Sequence, residues 1–304
     1  MDEAAIASVR RFNRAVTQRV GALDERFLAR GRPMGESRLL WEIGEEGSEV
    51  RALRHRLGLD SAQLSRGLRA LEAAGLARVA PSHADRRVRV ATLTAAGRAE
   101  RRLLDARSDE VARSMLDPLG DDDRQRLVEA MSTVERLLAR ASVEIREVAP
   151  THPDARLCFR AYFAELDARS ESGFDPDAGI SAEPHELTPP AGCLLIAYRH
   201  DEPVGCGAVK HHPGEPTEIK RMWVSADARG LGLGRRLLTE LEAQARAAGA
   251  RLAHLETNRS LTEAIALYRS AGYREVAPFN DEPFADHWFE KRLRPVRARR
   301  GGGR

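Results

Sequence analysis

Apolar residues recur at three- and four-residue steps over the first stretch of the chain: Ile6, Val9, Phe12, Val16, Val20, Leu23 and Phe27. That spacing predicts an amphipathic helix over 2–29, stopped by Gly31-Arg32-Pro33. Shorter helical patterns follow at 37–44, at 49–57 with Ser48 as cap, and at 62–74 with Ser61 as cap. Gly58 and Gly75 close the last two. The period then changes. Residues 76–80, a polar turn at 81–86, and 87–93, where Val88 and Val90 alternate with arginines, predict a β-hairpin. Thr94 caps a long helix to about Met115, Asp117-Pro118 and Gly120 break it, and 121–142 is helical again.

Beyond residue 142 strands and helices alternate. Strand patterns lie at 143–148, 193–198, 204–210, 218–224 and 251–257, with a last one inside 284–293. Helical patterns lie at 154–170, 235–248 and 261–271, and the Gly-, Pro- and acid-rich 171–192 reads as loop. That order predicts an α/β domain. With 304 residues the chain is long enough for about two domains. The expected division is 1–142, mainly α with a hairpin, then 143–293, then a disordered basic tail at 294–304.

Charge adds to this picture only through its distribution. Residues 1–142 hold 26 arginines and no lysine against 22 acids, whereas 143–304 hold 23 basic and 24 acidic residues. Five of those 23 fall in the last eleven positions, so the basic excess belongs to the first domain and the tail, whose arginines add non-specific DNA affinity. Cys158, Cys193 and Cys206 are too few and scattered for a disulfide scaffold or zinc site, and isolated thiols fit a reducing cytoplasm. No apolar run approaches the ~20 residues of a membrane span. The first residues carry acids where a signal peptide wants positive charge. The expectation is a soluble cytoplasmic protein without a metal.

Within 62–74, Leu64, Leu68 and Leu71 share one face while Ser65, Arg66 and Arg69 project from another. Short polar groups and arginine suit base edges in a major groove. The hairpin offers His83, Asp85, Arg86, Arg87 and Arg89, and arginine at a hairpin tip suits a minor groove or its phosphates. A solvated surface of an Arg-rich protein explains any single arginine equally well. The stretches SRLLWEIG at 37–44, LDSAQLSRGLRALEAAGL at 59–76 and DRRVRVATLTAAG at 85–97 resemble the MarR family of winged helix-turn-helix regulators, over about residues 2–142. The resemblance implies a homodimer built through the N-terminal and two C-terminal helices, bound to a pseudo-palindromic site on double-stranded DNA. By position, Ser65, Arg66 and Arg69 would face the major groove, and Arg87, held by Asp85, the minor groove.

In the second domain Arg229-Gly230-Leu231-Gly232-Leu233-Gly234 matches Arg-x-x-Gly-x-Gly between a strand and a helix. Glycines let a backbone approach a pyrophosphate, and a helix N-terminus aims free N–H groups at it. Together with EIKRMWV at 218–224 and ALYRSAGY at 266–273, this stretch resembles the GNAT N-acetyltransferases, in element order as well as motif, over about 143–293. The resemblance implies a mixed central sheet flanked by helices, and acetyl-CoA as co-substrate for an amine acceptor. Met222 and Val224 would offer backbone groups to its pantetheine, Val224 N–H also polarising the acetyl carbonyl. Arg229, Gly230, Gly232, Gly234 and Arg235 would hold the pyrophosphate. Glu218 stands where some members carry a general base, and a salt bridge to Lys220 or Arg251 is the other reading of it. Tyr268 would protonate the leaving thiolate, or simply pack in the core. Where many members have Asn this chain has Leu261, so Asn258 is the substitute cofactor contact. His211 and His212 are a further candidate base or a turn. Acids at Glu171, Asp175, Asp177, Glu183 and Glu186 favour a cationic amine, or only solvate a loop.

Three functions fit: a regulator with its own acetyltransferase, a transcription factor that senses acetyl-CoA or an amine without turnover, and an acetyltransferase on a winged-helix dimerisation platform. Glu218 and Tyr268 speak against the second, and Arg66, Arg69 and Arg87 against the third.

Overall fold

A computed structural model describes residues 2–20, 31–82, 85–170, 173–175, 178, 182–212 and 214–294. The tail at 295–304, His83, Glu171 and Asp177 lie outside them. The chain gathers into two compact units, Met1–Ser132 and Thr133–Arg304, which divide inside a helix.

In the first unit α1 (Glu3–Arg19) starts where Asp2 accepts from Ala4 N–H. Its expected continuation, with Leu23 and Phe27, lies outside the described residues. Helix α1 buries none of its own residues, and Ile6, Val9, Phe12 and Val16 stay 37–58% exposed. Helices α2 (Met34–Ile43), α3 (Val50–Leu57) and α4 (Ser61–Ala73) close on a core of Leu39, Leu40, Ile43, Leu53, Leu64, Leu68 and Leu71. Two caps differ from expectation. Asp60, not Ser61, caps α4: its carboxylate accepts from Gln63 N–H at 2.7 Å while Gln63 Oε1 accepts from Asp60 N–H at 3.1 Å. This reciprocal box satisfies two orphan donors where a lone serine satisfies one. Ser48 belongs to a short strand, β1 (Ser48–Glu49), and its hydroxyl donates to Ile43 O at 3.1 Å.

Strands β2 (Ala77–Pro81) and β3 (Arg89–Leu93) form the expected hairpin, and β1 adds to the far side of β3. Helix α5 (Ala95–Leu116) follows, with Thr94 Oγ1 accepting from Gly97 N–H at 3.0 Å. Gly97 is obligatory, because a Cβ there would stand 1.9 Å from Leu76 O. Helix α6 (Asp121–Ala141) then crosses into the second unit. Its last turn belongs there because Arg236 donates to Arg140 O at 3.4 Å and to Val143 O at 2.6 Å.

The second unit runs β4 (Val143–Glu147), α7 (Pro153–Arg169), β5 (Gly192–Arg199), β6 (Glu202–Lys210), β7 (Thr217–Val224), α8 (Leu233–Ala247), β8 (Leu252–Thr257), α9 (Thr262–Ser270), β9 (Arg274–Val276) and β10 (His287–Arg292). The sheet order is β4-β5-β6-β7-β8-β10-β9; β7 and β8 are parallel, the other pairs antiparallel. Strand β9 escaped the sequence reading because three residues, Arg-Glu-Val, carry too little alternation to register. Strand β5 explains the unbroken apolar run at 193–198. Cys193, Leu195 and Ala197 pack with Leu237, Leu238 and Leu241 of α8, while Leu194, Ile196 and Tyr198 pack with Ala155 and Cys158 of α7. Among the described residues no helix is long and apolar enough to cross a membrane.

One irregularity positions the site. Strands β7 and β8 pair only at Thr217↔Ala253 and Glu218↔His254, and then part. On its other edge β7 shifts register against β6, so that Arg221 and Met222 together oppose Gly207. Such a bulge bends and twists its strand. A Cβ on Gly207 would meet Met222 Sδ and Leu241 Cδ1 at 2.7 Å, so a larger residue there would have to push both side chains aside. Arg221 takes a left-handed φ of 55°, which costs on the order of 1–3 kcal/mol. Its guanidinium, 4.3 Å over Phe159 and 5.3 Å over Phe163, donates to Ala182 O at 2.8 Å and holds that geometry.

Candidate functional site

The wedge between β7 and β8 opens into a cleft of about 460 Å³. Eight of the ten residues expected to act in this unit line it. Met222 and Val224 come from β7, and Arg229, Gly230, Gly232, Gly234 and Arg235 from the loop and first turn of α8. Tyr268 comes from α9. Gly230 and Gly232 adopt φ of 77° and 71°, and no atom lies within 4 Å of where a Gly230 Cβ would be. The first bond within α8 runs from Arg236 N–H to Gly232 O, so helix geometry leaves the N–H groups of Leu233, Gly234 and Arg235 without an intrahelical acceptor. Open space, aligned donors and the positive end of the helix dipole suit a pyrophosphate. Leu261, Ala264 and Leu267 supply an apolar wall.

Side chains tie the walls together. Glu165 on α7 pairs with Arg229 from the loop, and with Arg169, 2.9 Å away; Arg169 reaches Glu263 on α9 at 3.0 Å. Trp223 Nε1 donates to Glu165 at 3.0 Å. Tyr268 packs against Tyr273 and Phe289 at centroid distances of 6.0 and 5.9 Å, so it lines the cleft and belongs to the core. Burial, then the charge of Glu256, pushes its phenol pKa up, and the hydroxyl stays protonated.

The other two expected residues are placed differently. Asn258 is not among the residues lining the cleft. Its Nδ2 donates to Phe284 O at 2.9 Å and its Oδ1 accepts from Ser260 N–H at 2.9 Å, so its carboxamide is used in shaping the turn. Glu218 lines neither the cleft nor the chamber beside it. It stands 3.5 Å from Lys220 Nζ and 3.6 Å from His212 Nε2, the salt-bridge arrangement. His211 and His212 also line neither; His211 Nδ1 lies 3.0 Å from Thr217 Oγ1, and burial lowers its pKa.

A smaller chamber of about 110 Å³ adjoins the cleft, sharing Tyr162, Leu166 and Leu261 as walls. Glu256 on β8 lines it, and the sequence reading missed this residue. Its Oε1 pairs with Lys220 Nζ. Burial raises the Glu256 carboxyl pKa, although Lys220 pulls it down. Lys220 is itself raised: burial lowers it, but Glu256 and Glu218 more than offset that. A signal was present, since His254 and Glu256 alternate with core-facing Ala253 and Leu255 and so face the other side of their strand. The loop acids Asp175, Glu183 and Glu186 do not line the chamber; that segment contributes Phe174 and Ala182 instead, and Glu186 pairs with Lys210 at 2.7 Å.

In the first unit Ser65, Arg66 and Arg69 are exposed on α4, and Arg69 Nη2 donates to Ser65 Oγ at 3.1 Å. Arg87 donates to Asp85 through its backbone N–H at 2.9 Å, Nε at 3.2 Å and Nη2 at 3.1 Å. A groove between α3, α4 and the hairpin adds Arg51, Arg54 and Arg89 to this surface.

Comparison with known proteins gives a match of residues 156–273 to the acetyltransferase (GNAT) family. The chain is 44% identical over 116 residues to an IAA acetyltransferase of Azospirillum brasilense, covering 38% of this chain and 76% of that protein. It is 36% identical over 99 residues to an uncharacterized N-acetyltransferase of Schizosaccharomyces pombe, covering 31% and 60%. Among solved structures, an acetyltransferase of the GNAT family from Staphylococcus aureus aligns over 50% of this chain and 99% of its own, at 17% identity and TM-score 0.43.

Proposed function

We propose, from the premise that this chain belongs to the GNAT acetyltransferase family and is an acyltransferase, that residues 143–293 transfer acetyl from acetyl-CoA to an amine while residues 1–142 bind double-stranded DNA. The observation that carries the catalytic half is the wedge where β7 and β8 part, opening on the glycine loop and the start of α8. Acetyl-CoA supplies an activated thioester. The N–H groups of Gly230, Gly232, Gly234 and Arg235 hold its pyrophosphate, with Arg229, and the unpaired edge of β7 at Met222 and Val224 takes its amide-bearing arm. Val224 N–H polarises the acetyl carbonyl. Tyr268, kept protonated by burial, gives its proton to the departing sulfur. Glu218 acts through Lys220, whose ammonium it shares with Glu256.

Calorimetric titration of acetyl-CoA into the full chain tests this reading. Wild type binds, and the Gly232→Glu, Gly234→Glu double variant, with side chains where the phosphates would lie, loses binding at least thirtyfold. A folded wild type that does not bind overturns the proposal.

For the first unit we propose a MarR-like winged helix. Ser65, Arg66 and Arg69 enter the major groove, and Arg87, braced by Asp85, the adjacent minor groove. A second copy covers the apolar face of α1, which its own unit leaves exposed. Arg66→Ala in a mobility-shift titration on a pseudo-palindromic site should weaken binding about tenfold, in line with a base contact of roughly 1–3 kcal/mol. Sedimentation of wild type at half the molecular mass of a dimer would remove the two-fold arrangement. The alternative, a regulator that senses acetyl-CoA or an amine without turnover, predicts binding with no thiol release.

A further inference from the structure

We infer that the chamber behind the cleft takes a primary alkyl amine as its ammonium ion, with the Glu256 carboxylate as the group that receives and deprotonates it. The inference rests on the acetyltransferase reading and adds to it the acceptor's class and the identity of the base.

Position comes first. Tyr162, Leu166 and Leu261 are walls of both the chamber and the cleft, so a group seated in the chamber faces the place where the acyl donor ends. The site is also built for a donor. The Glu256 side chain is 8% exposed; one oxygen pairs with Lys220, and Oε2 is buried with no hydrogen-bond partner. Buried carboxylate oxygens are rarely left unmatched, because desolvation is then uncompensated. An ammonium N–H is the group that completes it.

Charge selects the same occupant. Lys220 is faced by three carboxylates, Glu218 on β7, Glu256 on β8 and Glu282 on the segment before β10. The other cation of the chamber, Arg221, is stacked on Phe159 and Phe163 and bonded to Ala182 O. Tyr162 and Tyr268 face Glu256 as neutral phenols, both pushed up by burial. Within the chamber Glu256 and Glu282 balance Lys220 and Arg221, and Glu218, outside it behind Lys220, adds a third carboxylate to the surroundings, so an acceptor that brings its own carboxylate is disfavoured. The walls agree. Phe163 stacks on Phe174 at 5.7 Å and Phe174 meets Phe284 at 4.7 Å, aromatic faces that accept both an ammonium and an alkyl chain. At about 110 Å³ the chamber is smaller than the ~150 Å³ cavity that accepts benzene, so a short chain fits.

The chemistry balances with these residues. Glu256 takes one proton from the ammonium, and the freed nitrogen lone pair forms the bond to the acetyl carbon. The carbon–sulfur bond breaks with its electron pair on sulfur, to which Tyr268 gives a proton. Tyr268 regains the second N–H proton, and Glu256 releases its own to solvent. The products are an amide, the free thiol and one proton. Burial, by raising the Glu256 pKa, makes it a better base than an exposed carboxylate. Glu218 is a positioning residue that holds Lys220.

The test uses n-butylamine and its carboxylate-bearing analogue norvaline. Each is titrated calorimetrically into the full chain without acetyl-CoA, and thiol release is followed with it. Wild type should bind butylamine at least tenfold more tightly than norvaline. Glu256→Gln should lose that binding at least tenfold and lower kcat/KM at least 100-fold, with the acidic limb of the pH profile gone and acetyl-CoA affinity within threefold. Glu218→Gln should cost less than tenfold and keep the limb. Phe174→Ala, a second variant away from the ion pairs, should weaken butylamine and admit 2-phenylethylamine. Norvaline preferred, or Glu256→Gln acetylating butylamine like wild type, overturns the inference. So does a wild type that binds acetyl-CoA but no butylamine. Failure to bind acetyl-CoA at all would instead remove the acetyltransferase reading, and this inference with it.

Discussion

In the first unit the charged groups proposed to meet a ligand stand in water, whereas in the second the groups around the proposed base, Lys220, Glu256 and Tyr268, are withdrawn from it. The Arg87 side chain is 91% exposed and its partner Asp85 42%, while Lys220 and Glu256 are at 9% and 8%. Both are ion pairs at hydrogen-bonding distance, yet they do different physical work. Asp85 is held below the usual carboxylate range by its hydrogen bonds from Arg87, but a pair so open is screened by salt and adds little stability. Lys220 and Glu256 sit where water cannot compensate them, and both titrate above their ordinary values. An exposed pair orients a charge for a partner that brings its own field. In the proposed reaction the buried pair sets the protonation state of the base.

Salt should separate the two units most. With about six phosphate contacts, raising salt from 50 to 200 mM should weaken operator binding by roughly 10³. Acetyl-CoA binding, measured on the same protein, should change by less than about tenfold. Equal salt dependence would erase the contrast. Tyr268→Phe should lower kcat for thiol release about 100-fold and leave the acetyl-CoA Kd unchanged, the signature of a proton donor rather than a binding group. An equal loss in Kd would make the residue a packing element only.

pH sharpens the comparison further. A base must be ionised, and the Glu256 pKa is raised, so amine acetylation should be full above that raised value and fall about tenfold per unit as pH drops through it. Operator binding should stay flat from about pH 7.5 to 9, above the ordinary histidine range that would cover His83, because arginine does not titrate there. The smallest effect belongs to Asp85→Asn. Losing the brace on Arg87 while keeping the arginine should weaken DNA binding by about threefold, read by mobility shift. A hundredfold loss would mean that Asp85 itself contacts the DNA.

Local pattern made most of the elements legible. The three- and four-residue period of α1, the glycine stops after α3 and α4, the alternation of β3 and the apolar run of β5 all follow from side chains acting on their own segment. So does the glycine loop, because a left-handed turn before a helix restricts residue type directly. Caps were less legible. Asp60 and Ser61 both satisfy the local preference, and only the return bond from Gln63 decides between them.

The sequence by itself determined the two-part organisation, the glycine loop before a helix and the choice of Tyr268 as a candidate, because each rests on residues close together in the chain. Only the tertiary structure separates the two candidates for the proposed base. Glu218 and Glu256 are both strand carboxylates, and nothing local ranks them. The bulge at Arg221 parts β7 from β8 beyond Glu218, so that Glu218 remains in the paired region beside Lys220 while Glu256 lines the opening. Burial then raises the carboxyl that faces the chamber, and burial is a property of what the other strands and helices bring near, not of the residue.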